Sequence, residues 1–217
     1  ARFDEAAFRD WAAFSGAAFG DRAGFNGATF RDGAGFHGAA FGDGAVFNWA
    51  TFGDGAEFVG AAFGDGAGFH RATFGGRAGF HGARFNGQVV FYGRRGDDKP
   101  TFAGCVSFKS ASFDGPALFG DSSAEHGAAF DGRVNFRAAT FADYADFSRC
   151  TWPERAEDSQ GAFEGARFRD VADFNTEAFD AFALFDGAPF ERPIRFADPQ
   201  SETPEDGFKR AVAATEA

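Results

Sequence analysis

The sequence predicts an all-β chain wound into a β-solenoid, and three observations carry that prediction. The first is the beat of its phenylalanines. In FGDGAVFNWATFGDGAEFVGAAFGDGAGFHRATFGG they fall at 41, 47, 52, 58, 63, 69 and 74, with intervals that alternate between six and five. The second is the small residue two places before each of them: Ala45, Ala50, Ala56, Ala61, Ala67 and Ala72. Such regularity marks a repeat whose neighbouring units share one core. The third is glycine. An 11-residue period also suits a right-handed helical supercoil, but several glycines per unit would cost a helix about 1 kcal/mol each relative to Ala. FGDGAGF reads instead as turn, strand, turn, because Asp-Gly reaches positive φ cheaply and Phe suits a strand.

The beat runs back to Phe3 and on to Phe91. The residue just before every second Phe reads Ala7, Ala18, Thr29, Ala40, Thr51, Ala62, Thr73, Arg84, so Thr recurs every 22 residues with Ala between. Asn26 and Asn48 recur at the same interval, as do His37 and His81. Coils of 22 residues with four sides follow, each side turning one Phe inward. Two-sided coils of 11 would leave the Thr/Ala alternation unexplained. On the four-sided reading Phe30, Phe52 and Phe74 share one column, and Phe41, Phe47, Phe58, Phe63 and Phe69 complete the core of this stretch.

AAF, ATF and ARF, with a small residue two places before a central Phe, resemble the pentapeptide repeat proteins, and the Phe-rich, glycine-rich style is similar to the actinobacterial branch of that family. The resemblance spans roughly residues 1–196. It implies a right-handed quadrilateral parallel β-helix. One departure is that alternate units have six residues rather than five.

Length and composition bound the rest. With 217 residues in one repeat style, a single elongated domain of about nine coils is expected, a rod of about 43 Å at the ~4.8 Å strand spacing. The organisation reads as regular coils over 1–91, loop-interrupted coils over 92–162, regular coils again over 163–196, and a tail over 197–217. In the tail, Pro204-Glu205-Asp206 followed by Phe208, Ala211, Val212 and Thr215 predicts a short capping helix. A solenoid end needs such a cap, and the same end offers a homodimer contact. No apolar run approaches the ~20 residues that span a bilayer and no signal peptide is visible. The two cysteines, Cys105 and Cys150, are expected as reduced, largely buried thiols. A cytoplasmic location is expected on these grounds. The chain opens within a repeat, which leaves room for a longer parent protein.

The net charge of −11 is unevenly placed: residues 1–91 hold nine acids and seven bases, the remainder 23 and 14. The beat breaks between Phe91 and Phe102, between Phe119 and Phe130, and between Trp152 and Phe163. Each gap is 11 residues and the alternation slips afterwards, so loops or bulges are expected there. The first gathers Arg94, Arg95, Asp97, Asp98 and Lys99 around Gly96, ahead of Pro100. Because loops on rigid scaffolds carry function, these five residues are the candidate partner site.

Other constellations are weaker. Asp10, Asp21, Asp32, Asp43, Asp54 and Asp65 recur every 11 residues and form two columns on opposite sides of the coil. One carboxylate per corner falls short of the six to eight oxygens of a calcium site, whereas Asp favours turns by bonding its own backbone. His37, His70, His81 and His126 do not make a ligand set and are expected at the surface. The Thr29, Thr51, Thr73 ladder is a plain β-face. No nucleophile–base pair, phosphate loop or zinc spacing stands out, and a Phe-filled rod leaves no ligand pocket. A non-enzymatic protein without cofactors is expected: a rigid scaffold for a protein partner that does not bind nucleic acid directly. The family resemblance adds an alternative, a DNA mimic that binds DNA gyrase and gives antibiotic resistance or toxin immunity. A duplex of that length carries about 25 charges at one per ~1.7 Å, more than twice this chain's −11. A third reading is a soluble module of a larger membrane or toxin protein.

Overall fold

At Thr51–Phe52 the chain runs extended for two residues, with Thr51 facing solvent and Phe52 buried. The same short strand recurs above and below it, Thr29–Phe30 and Thr73–Phe74 pairing with it in parallel. The computed structural model describes residues 1–93, 100–120, 127–153, 161–175, 185, 187–192 and 194–197. Within them, four parallel sheets stack in register and form the four faces of a β-solenoid. Face I runs from Ala7–Phe8 through Thr29–Phe30, Thr51–Phe52, Thr73–Phe74 and Thr101–Phe102 to Ala129–Phe130. Face II holds Ala56–Glu57, Ala78–Gly79, Val106–Ser107 and Val134–Asn135. Face III runs from Ala18–Phe19 to Arg167–Phe168, and face IV from Ala67–Gly68 to Ile194–Ala197. The C-terminal capping helix expected in 197–217 lies outside the described residues.

Two-residue strands have few hydrogen bonds each, so the stack depends on what they enclose. Phe30, Phe41, Phe47, Phe52, Phe58, Phe63, Phe69 and Phe74 are buried, as are the alanines two places before them. Along the axis Phe52 lies 4.8 Å from both Phe30 and Phe74 with ring planes 3° apart. Around the coil the rings meet edge to face: Phe52 with Phe58 at 78° and Phe47 with Phe58 at 87°. Both arrangements suit the aromatic quadrupole. Phe41 stacks on Phe63 in a different column, so the coil is four-sided.

The two kinds of edge differ. Five residues separate the phenylalanines at edges IV–I and II–III, six at edges I–II and III–IV, and the aspartates occupy the six-residue edges. From Asp21 to Asp65 each carboxylate reaches forward to the next coil. Asp32 Oδ1 accepts from the Asp54 N–H at 2.8 Å, Asp54 Oδ1 from the Arg77 N–H at 2.7 Å, and Asp43 Oδ1 from the Asp65 N–H at 2.9 Å. The aspartates therefore tie each coil to the next, through donors 22 or 23 residues on. The Arg77 N–H holds the Asp54 carboxyl below its usual range. Later coils close the same edges with Gly104, Gly115 and Gly132, whose Cβ would meet the backbone below within 2.7 Å.

Two expectations need correction. Cys150 is buried but Cys105 is exposed, because the inward small site before Phe108 is taken by Val106. His37 and His81 are exposed while His70 is half-buried and bonded; His126 lies outside the described residues.

Candidate partner-binding edge

Edge IV–I, where the chain leaves one Phe column and enters the next after five residues, collects most departures from the regular repeat. Its corner residues adopt the left-handed conformation: Glu5 (φ 59°), Gly27 (63°), Trp49 (57°) and Arg71 (57°) stand one coil apart in one column. Glycine suits such a site, whereas a bulky side chain there is a backbone outlier. Trp49 accepts that conformation with 55% of its surface exposed. The Arg71 guanidinium lies over its ring, 5.7 Å from the centroid, within cation–π reach.

Beside this column runs a polar ladder. The Asn26 N–H and Nδ2 both donate to Asp4 Oδ1, at 3.0 and 2.9 Å. Two coils further the His70 N–H donates to Asn48 Oδ1 at 3.0 Å. His70 Nδ1 then donates to the Tyr92 carbonyl at 2.8 Å, and the two rings meet edge to face at 5.3 Å. Asn48, His70 and Tyr92 thus fix the backbone that presents Trp49 and Arg71.

Two of the three irregular segments are rooted on this same edge. Thr73 pairs with Thr101, and Thr101 with Ala129, 28 residues apart where regular coils have 22. The Phe columns pass through undisturbed: Phe74 stacks on Phe102 at 4.9 Å and Phe91 on Phe119 at 4.8 Å. No Phe position is skipped, therefore; each 11-residue gap is one five-residue side plus six inserted residues. The insertions leave from Gly93 and Gly120 and return at Pro100 and Gly127. The candidate residues Arg94, Arg95, Asp97, Asp98 and Lys99 lie outside the described residues. Their anchors do not, and these place that segment one coil beyond Arg71 and one coil before the segment between Gly120 and Gly127. The third irregularity follows Trp152, which occupies the Phe column of face I by stacking on Phe130 at 5.2 Å.

A polar cluster sits at the end of face IV. Tyr144 donates to Asp173 Oδ2 at 2.6 Å and also contacts Asp146 Oδ2 at 3.1 Å. Asp146 is only 4% exposed, and its Oδ1 accepts from the Ser148 N–H at 2.8 Å. Arg195 grips Asp173 with two bonds, at 2.7 and 3.2 Å. Burial raises the Asp146 carboxyl and the Tyr144 phenol, and drives the Cys150 thiol well up. The cluster ties three coils together. Among the described residues no group of three His, Cys, Asp or Glu side chains is placed to hold a metal ion, and no helix is long and apolar enough to cross a membrane.

A family model of pentapeptide repeats (9 copies) matches residues 25–73. Residues 25–73 are pentapeptide repeats. They include Trp49 and Arg71 and end one coil before the first insertion. No curated protein and no solved structure matches the chain.

Proposed function

We propose that this pentapeptide repeat protein is a non-enzymatic, rigid scaffold that binds a protein partner along edge IV–I. The observation that carries this reading is the exposed Trp49 in a left-handed corner, with Arg71 over its ring, stacked in line with the anchors of both six-residue insertions. Trp, Tyr and Arg dominate the binding energy of protein interfaces. An aromatic held by a stiff backbone gives up little conformational freedom when a partner seats on it. Arg94, Arg95, Asp97, Asp98 and Lys99, which follow the anchor Gly93 in the sequence, are counted in this proposal among the residues that meet the partner. Cytoplasmic location, right-handed winding and pairing of two copies through the C-terminal end complete the proposal.

A photo-crosslinking amino acid at position 49 tests it in cells. A partner captured there should lose at least tenfold in affinity, about 1.4 kcal/mol, when Trp49 and Arg71 are both replaced by Ala. The melting temperature should not fall. Unchanged affinity in that variant removes the edge from the reading. The DNA-mimic alternative draws on the net charge of −11 and has its own measurement: inhibition of DNA gyrase supercoiling by the purified protein. Inhibition that survives loss of Trp49 and Arg71 would favour the mimic.

A further inference from the structure

Face II carries a second surface, separate from edge IV–I. Its outward residues on successive coils are Glu57, Gly79, Ser107 and Asn135, and they floor a groove of about 510 Å³. One rim is the exposed column Arg77, Cys105, Arg133; the other is Val59 and His81, and Lys109 and Arg137 stand exposed at the His81 position on the next two coils. Arg77 is engaged by Asp54 at 3.6 Å and Arg137 by Glu164. Among the described residues, Arg133 and Lys109 meet no carboxylate and Glu57 meets no cation. The Glu57 carboxylate lies over the floor, where a Cβ at Gly79 would overlap it. The groove is therefore polarised along its length. It is negative over Gly79, and positive one to two coils further on, about 5–10 Å away at the sheet spacing.

We propose that this groove seats an extended segment of a partner protein, with a basic side chain over Glu57 and acidic ones between Lys109 and Arg133. From Glu57 to Asn135 the floor advances three coils, about 14 Å, which an extended peptide covers in four to five residues at ~3.3 Å each. Exposed charges give specificity and orientation more than affinity, and here their order fixes which end of the segment lies where. A nucleic acid fits worse. It would bring a phosphate onto Glu57, and a protein of net charge −11 repels the long polyanion that must follow. This reading is independent of edge IV–I.

Cys105 provides the test, because it stands on the rim and the other cysteine is buried. Alkylation of the full-length protein by a maleimide then reports occupancy of the groove. The peptide Lys-Gly-Gly-Glu-Glu should slow modification of Cys105 at least fivefold at saturation, and Gln-Gly-Gly-Gln-Gln should not. Lys109→Glu with Arg133→Glu should abolish protection. Arg84→Glu with Arg167→Glu on face III should preserve it, all variants keeping the parent melting temperature. Glu57→Gln should weaken Lys-Gly-Gly-Glu-Glu while leaving Gln-Gly-Gly-Glu-Glu unaffected. Absence of protection, protection by the neutral peptide, or protection that persists in the Lys109→Glu, Arg133→Glu protein would each overturn the proposal. So would an oligothymidylate that protects better than the peptide.

Discussion

Phe52 touches aromatic rings above, below and on both sides, so its removal leaves a cavity that rigid short strands cannot close. Phe52→Ala should cost about 3–5 kcal/mol. Phe8, which is only half-buried in the first coil, should cost less, and urea unfolding of both variants checks the order. Gly120 is more constrained, because a Cβ there would stand 1.8 Å from the Ser148 carbonyl oxygen of the next coil. Gly120→Ala must push two coils apart and should lower the melting temperature even though it adds one methyl group. Asp146 gives a pH signature. Burial lifts its carboxyl above the ordinary range, so the native state holds that proton more tightly than the unfolded chain does. Its contribution to stability is greatest in acid and falls as pH rises through the raised value. Asp146→Asn keeps an acceptor for Ser148 without the charge. The variant should melt above the parent in neutral buffer, and the difference should shrink as the buffer is made acidic. A difference that grows in acid would mean the ionised carboxylate is stabilising.

At the level of the coil and its insertions, the repeat itself was legible because each side obeys one local rule, a small residue inward and then Phe. The Thr29, Thr51, Thr73 ladder gave the 22-residue coil, and the face I register repeats it. The three broken intervals marked insertions. The common root of the first two was harder to read, since the sequence shows a gap of 11 residues either as a missing Phe or as one side plus an insertion. Only the stacking of Phe74 on Phe102 decides between them. Trp49 and Arg71 do not stand out in the sequence for a related reason. Both fill a position where glycine is expected, and neither carries a motif, although adding 22 to 49 and again to 71 leads to Gly93 and the first insertion. In the sequence the aspartates look like local turn formers, because one sequence cannot show a donor on the next coil. The geometry also sharpens what can be cut. Tyr92 is buried against His70, so replacing it along with the insertion would damage the scaffold. Removing only 94–99 restores a five-residue side, provided Pro100 becomes Ala. The equivalent Ala72 N–H bonds the Phe69 carbonyl at 3.1 Å, a donor that proline lacks. This deletion should change stability by less than about 1 kcal/mol, because surface loop length is thermodynamically cheap. A collapse of the melting temperature would show that the segment holds the rod together.

For the whole molecule the decisive property is one-dimensionality: each coil touches only its neighbours, so stability adds coil by coil. Calcium should therefore add nothing. The corner carboxylates already accept backbone N–H groups of the next coil, and neither added calcium nor a chelator should move the melting temperature; a rise of many degrees would reveal ligand linkage. A sharper test removes part of the rod. Excising residues 42–63 takes out one 22-residue coil and joins Phe41 to Gly64, so every later side meets a partner of its own length. Each column then continues with Phe41 stacked on Phe85 in place of Phe63, and Asp43 is replaced by Asp65, which keeps an acceptor at the same corner. That protein should fold, melt somewhat below the parent, and be shorter by about 4.8 Å, one strand spacing, in solution scattering. Excising only 48–52 removes a single side. In the first coil after the cut every six-residue side would then lie over a five-residue one, and the carboxylates of Asp32 and Asp43 would lose the N–H donors they now reach. This smaller deletion should be far more damaging than the larger one. If the two variants melted alike, the alternation of five and six would carry no structural meaning, and the Phe core alone would specify the coil.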